Sequence, residues 1–262
     1  FDGNDFSGNS GAGVEVCTGG NPTCMNNKVH GGDAQGVLCH SQSKGKFETN
    51  EIYGNKAAGV QLTTGAEPCF TANTIRDGQS QGVFVCDKGA GLCEENDIFG
   101  NEGPNVQIES GGNARLASNR IHHGKSSGVL VCNAGLGRLD ANEIFSNTGD
   151  GVEVCSQANP TLKGNVLHDG NACGIRVHSG GLGNISGCAI SQHATAGICV
   201  ESDGVPTMSG NSISGEKVYG AWCRTDGAGL FDANTFTGCA AAAIRIDVCS
   251  TVFKANVCRA NF

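Results

Sequence analysis

Proline is scarce in this sequence, with five among 262 residues. The 42 glycines therefore belong neither to collagen nor to a disordered Pro/Gly linker. Aromatic residues make up 5% of the chain, few for a core built from large rings. Lys and Arg number 17 against 25 Asp and Glu, a net charge of -8. That balance argues against nucleic acid, whose binders concentrate cationic charge. No apolar run approaches the ~18 residues of a membrane span. The first residues show no charged stretch followed by an apolar one, so no signal or transit peptide is visible. Glycine interrupts every stretch that could hold a 3.6-residue apolar period, which excludes long helices. No phosphate loop, nucleophile elbow, zinc-protease motif or C-x-x-C occurs.

What is present is a repeat. Glycine recurs at Gly13, Gly36, Gly59, Gly82, Gly128, Gly151, Gly174, Gly197 and Gly220, with Asn105 in the missing phase. Asparagine keeps the same 23-residue step at Asn4, Asn27, Asn50, Asn73, Asn96, Asn119, Asn142, Asn165, Asn211 and Asn234. Cys188 alone breaks that column, and Asn256 follows one residue early. Apolar residues alternate with others on either side of these markers, the strand period of two. A unit this short cannot bury its apolar face alone, so like residues must stack in columns ~4.8 Å apart. The expected fold is all-β: a right-handed parallel β-helix of about eleven turns, roughly 50 Å long, with 1–262 as one domain. The asparagines are expected to form an amide ladder, and the glycines to supply positive φ or a tight corner.

A second period spans two turns. Asn9, Gly32, Asn55, Gly78, Asn101, Gly124, Asn147 and Gly170 alternate, and His193, Glu216 and Cys239 then break the pattern. Phe1 falls on an inward column and Phe262 follows the repeats. With no capping helix in sight, the chain reads as part of a longer protein or as covered by a partner.

Fifteen cysteines suggest a disulfide scaffold. Stacked positions 23 apart meet disulfide geometry, and Cys132 with Cys155 is the one such pair. Cys24, Cys39, Cys93 and Cys223 fall on core columns, where a thiol acts as a small hydrophobe. Most thiols are therefore expected free, in an intracellular, reducing compartment. No cofactor is expected, and no metal: Cys132, Cys155 and His178 lie in a row rather than around a point.

Two outward columns flank the last core residue of the Gly-led strand. In the amino half, Leu38, Phe84 and Leu130 alternate with Glu or Gln, a striped surface suited to a protein partner. In the carboxyl half, Glu153, Arg176, His178, Glu201, Trp222 and Arg224 gather over four turns, the side chains a sugar-acid site would use. A third column, Ser7, His30, Tyr53, Arg76, Phe99, His122, Phe145 and His168, reads as a structural stack.

The segments V-E-V-C-T-G-G-N-P-T (14–23), N-E-I-Y-G-N-K-A-A-G-V (50–60), N-D-I-F-G-N (96–101) and N-E-I-F-S-N (142–147) alternate with turns such as N-R-I-H-H-G (119–124). In this the chain resembles the β-helix repeats of the F-box-only ubiquitin-ligase receptors. More loosely it is similar to periplasmic copper-maturation proteins and to carbohydrate-binding or sugar-hydrolase β-helices. The first resemblance implies a β-helix that presents or captures protein substrates. No F-box helical segment or zinc-finger tail accompanies it, and the G-H-G, N-T-D, R-I-K and D-P-H-E fingerprints of pectin- and alginate-active β-helices are missing.

The leading expectation is a non-catalytic protein-recognition or scaffold module. Its partner would dock on Leu38, Phe84, Leu130 and Trp222. The alternatives are a carbohydrate-active enzyme or lectin acting on acidic polysaccharide, and a structural subunit of a larger assembly.

Overall fold

Each 23-residue step closes one turn of a coil in the computed structural model, which describes residues 1–261. Three parallel sheets of 12, 11 and 11 strands run the length of the rod. Strands of the first follow the asparagines, those of the second follow the glycine phase, and those of the third precede the asparagines. Ile75 pairs with Ile98, Val83 with Val106 and Cys93 with Leu116, a constant step of 23. At the carboxyl end Leu230 pairs with Val252, and the step becomes 22, as the early Asn256 foretold. Among the described residues no helix is long and apolar enough to cross a membrane.

The predicted inward columns form one continuous core, with Phe47, Phe70, Ile98, Leu139, Phe231 and Cys93 among its members. Phe1 departs from this reading. It lies 65% exposed at the amino end, beside a hollow of about 410 Å³ lined also by Phe6, Val14, Val16 and Pro22. Phe262 lies outside the described residues.

The asparagine column is a ladder. Asn73 Nδ2 donates to Asn96 Oδ1 at 2.9 Å, and the Asn73 backbone N–H donates to the same oxygen at 2.9 Å. The same pair of bonds repeats from Asn4 to Asn165. These bonds satisfy corner amides that no strand partner reaches, and a buried orphan amide costs about 1–3 kcal/mol. At Cys188 the side-chain rail fails: Asn165 Nδ2 lies 3.9 Å from Sγ, a weak acceptor. It resumes at Asn211.

The phase glycines do not serve positive φ. A Cβ on Gly82 would sit 2.6 Å from the Asn105 carbonyl oxygen and 2.7 Å from Asn101 Nδ2. Close approach of the next turn excludes a side chain there. Positive φ falls instead on residues just ahead of the ladder, such as Thr49, Ala72 and Ser118.

The two-turn alternation has the same cause. Asn101 Nδ2 donates to Asn105 Oδ1 at 2.9 Å, and Asn105 Nδ2 donates to Asn147 Oδ1 at 3.0 Å, passing over Gly124. Glycine at every second turn leaves room for the amides. In the carboxyl half His193 and Glu216 replace this rail. Both are buried, and Glu216 Oε2 accepts the His193 backbone N–H at 2.7 Å. From there on the Gly-led strands lengthen from three to five residues: Ala196–Val200, Tyr219–Cys223 and Ala242–Ile246.

Candidate functional site

The outward face of the Gly-led sheet carries the predicted residues of the carboxyl half, and it brings them together. Glu153 stands opposite Arg176, and Cys199 opposite Trp222, in successive strands. His178 Nε2 lies 3.0 Å from Glu153 Oε1, and Ser127 Oγ donates to Glu153 Oε2 at 2.7 Å. Glu201 is gripped by two arginines. Arg176 Nε donates to its Oε1 at 2.8 Å, and Arg224 Nη1 meets Oε2 at 2.7 Å. Burial disfavours the charge of Arg176, but Glu201 and Asp150 outweigh it and hold the guanidinium above its usual pKa. Asp150 is itself buried, which pushes its carboxyl up against the pull of the Cys173 amide and Arg176.

Trp222 is half-buried rather than free. Its Nε1 donates to Asp247 Oδ2 at 3.0 Å, while Arg224 and Arg245 lie 4.6 and 5.0 Å from its ring centroid. Beneath it, Cys173, Ala196 and Cys199 form a small apolar cluster separate from the core, with Tyr219 and Trp222 packed on top.

Sequence reasoning missed one column of this face: Ser127, Asp150, Cys173, Ala196 and Tyr219, each one residue before the glycine phase. No sequence signal marked it: a period of two assigns that residue to the inward face with the position one after the glycine, whereas the contacts of Asp150 with Arg176 and of Cys173 with Cys199 put it on the outward face.

In the amino half Leu38, Phe84 and Leu130 sit half-buried between polar neighbours. Phe84 stacks between Gln61 and Gln107, and Leu130 between Gln107 and Glu153. The Gln35–Gln61 and Gln81–Gln107 amide pairs frame them at 2.6 and 2.9 Å. On the neighbouring Asn-led sheet the predicted aromatic column is stacked: Phe99, His122, Phe145 and His168 lie 4.6–5.0 Å apart.

The cysteine and metal expectations meet different outcomes. All fifteen cysteines are unbridged, Cys132 and Cys155 included. The row of Cys132, Cys155 and His178 is not the relevant grouping. Glu153 from the adjacent column joins Cys155 and His178, and their ligand atoms all lie within 4.8 Å of one another.

The right handed beta helix region family matches residues 1–71, 67–205 and 172–262. The chain belongs to this family. No curated protein matches the sequence of this β-helix. Among solved structures it is similar to the A-module of the Azotobacter vinelandii mannuronan C-5 epimerase AlgE6, with a TM-score of 0.60 and 17% identity. That match covers 90% of the β-helix and 64% of the epimerase module, so the chain spans less than two thirds of it. A variant of the periplasmic alginate epimerase AlgG gives 0.63 at 12% identity, over 95% of this chain and 70% of that one. The catalytic unit of a GH87 alpha-1,3-glucanase from Streptomyces thermodiastaticus gives 0.55 at 14%, over 96% and 62%.

At such identities the likeness establishes the fold. It also corrects the leading expectation of a non-catalytic recognition or scaffold module, because these neighbours are carbohydrate-active enzymes. The comparisons reach the β-helix family and not the narrower F-box-only likeness.

Proposed function

We propose that this β-helix is a carbohydrate-active module that takes an acidic polysaccharide along the outward face of its Gly-led sheet. The observation that carries the reading is the packing of Arg224 and Arg245 on Trp222, with Arg176 two turns away in the same column and tied to Arg224 through Glu201. Each guanidinium offers five donors in a planar fork suited to carboxylates. Arg224 spends one nitrogen on Glu201 and keeps its side chain 43% exposed, so donors remain for a sugar carboxylate. Trp222 and Tyr219 add aromatic edges for the apolar faces of sugar rings. Two to three turns nearer the amino end, Glu153 and His178 offer a carboxylate and an imidazole on the same face. The enzymes among the structural neighbours act on alginate or on an alpha-1,3-glucan, which supports a sugar polymer over a protein partner.

The test compares a polyuronate with a neutral glucan by calorimetry at two salt concentrations. Polyuronate binding that weakens with salt is expected. Arg224→Ala and Trp222→Ala should each weaken it by about tenfold or more. Equal, salt-insensitive binding of both polymers would reject the acidic ligand. No binding of either, with no change in polymer NMR spectra after incubation, would reject the carbohydrate reading.

A further inference from the structure

The Glu153–Cys155–His178 group lies at one edge of the arginine face and has chemistry that sugar contact does not require. Glu153 and Cys155 come from one turn and His178 from the next, so two stacked turns supply three different donor atoms. Ligands around a tetrahedral zinc ion, at about 2.0–2.3 Å from the metal, stand roughly 3.3–3.8 Å from one another. The carboxylate and imidazole atoms are 3.0 Å apart, and all three donors fall within 4.8 Å. The widest of these separations exceeds the tetrahedral spacing by at most about 1 Å.

Two further observations point the same way. A metal-bound histidine fixes its ring by donating the second N–H, and a metal-bound carboxylate is itself hydrogen-bonded. His178 Nδ1 lies 2.9 Å from Ser179 Oγ, which leaves Nε2 directed at the group. Glu153 Oε2 accepts from Ser127 Oγ, which leaves Oε1 directed at it. The supporting shell is thus in place on both ligands. Charge also balances: one carboxylate and one thiolate neutralise a dication, and Glu201 and Asp150 take up the nearby Arg176. The fourth neighbour, Cys132, turns its thiol to Glu109 Oε2 at 3.5 Å.

We propose that Glu153, Cys155 and His178 form a three-ligand site for a borderline dication of the Zn²⁺ class, with its fourth position open. Sulfur and imidazole donors select such an ion over Ca²⁺ or Mg²⁺. Three protein ligands with an open position is the pattern of catalytic rather than structural zinc. The inference does not rest on the sugar reading, because metal affinity is measured without polysaccharide.

The experiment titrates the chelator-treated, reduced protein with Zn²⁺ against a chromophoric chelator, and separately with Co²⁺. One equivalent of Zn²⁺ should be held, and Co²⁺ should give a thiolate charge-transfer band with the visible intensity of a tetrahedral ion. Cys155→Ser and His178→Gln should each lower affinity at least a hundredfold and abolish or reshape that spectrum. Ser127→Ala, which removes only the support of Glu153, should lower affinity about tenfold. Cys132→Ser should leave both readouts unchanged. Circular dichroism of each variant checks folding, and the Co²⁺ spectrum of the unaltered protein decides the matter if a variant unfolds. No competition for one equivalent, a Co²⁺ spectrum without thiolate, or equal losses in Cys132→Ser and Cys155→Ser would overturn the assignment.

Discussion

The two halves of the rod obey the same 23-residue rule and differ in how strictly they keep it. In the amino half the second rail alternates Asn with Gly, the strands hold three residues, and the outward face repeats apolar residues between Glu or Gln. In the carboxyl half His193 and Glu216 replace the rail, Cys188 interrupts the first ladder, the Gly-led strands lengthen, and charges converge. The difference teaches that a solenoid gains chemical variety by relaxing its own repeat. Regular columns fix the core, and departures from them concentrate unlike side chains on neighbouring turns.

The sharpest way to break this comparison is to remove the buried pair that replaces the amide rail. Glu216→Ala strips the acceptor from the His193 backbone N–H and leaves His193 in the core without its partner. It should cost about 3–5 kcal/mol in denaturant unfolding. Asn96→Ala tests the regular half. It deletes the acceptor of Asn73 and the bonds to Phe70 and Asn119, and should cost about 3 kcal/mol. The reverse change in the other half, Cys188→Asn, should gain about 1 kcal/mol by restoring the amide rail. Equal losses from both ladder changes would mean that the break at Cys188 is structurally required.

On the outward faces, Phe84→Ala should cost about 1 kcal/mol of stability and leave polyuronate binding intact, since Phe84 is packed between glutamines. Trp222→Ala should show the opposite balance. A larger binding loss for Phe84→Ala would move the site to the amino half.

The smallest effect expected is a difference in pH response. Burial outweighs Asp97 and holds the His122 imidazole below its usual pKa, so the fold favours the neutral ring. That contribution is present above the ordinary histidine value and is lost as pH falls through the lowered one. Asp150 behaves in the other sense. Its raised carboxyl contributes below the ordinary aspartate value, and the contribution is lost as pH rises through the raised one. Thermal unfolding across pH 3–8 should therefore show His122→Phe gaining on the parent at the acid end of the histidine range. Asp150→Asn should gain on it toward neutral pH.

Much of this was legible in the residues. The glycine and asparagine steps fix the turn, the ladder and the change of register near Asn256. Alternation finds the core columns from Val29 to Phe236. The site was only half legible. Glu153, Arg176, His178, Glu201, Trp222 and Arg224 stand out as unlike residues in like positions. Their partners Asp150, Cys173 and Tyr219 were missed because a period of two assigns the residue before the glycine to the inward face, and the fold turns it outward there instead. The convergence of Glu153, Cys155 and His178 was missed because a stacked column invites reading along itself, while ligands come from diagonal neighbours. The function was not legible because a repeat encodes its scaffold in every turn and its chemistry in only a few.

The unidirectional asparagine ladder has a consequence for how the rod comes apart. Along the ladder each Nδ2 donates one N–H to the next asparagine toward the carboxyl end and the other to a main-chain carbonyl of the preceding turn, so each amide ties together three successive turns. A solenoid is close to a one-dimensional lattice whose units couple to nearest neighbours alone. Cys188 is a weak bond in that lattice. Fraying from an end should therefore find its least costly boundary at that turn, and hydrogen exchange is expected to show lower protection around Cys188 than along the unbroken ladder from Asn27 to Asn142.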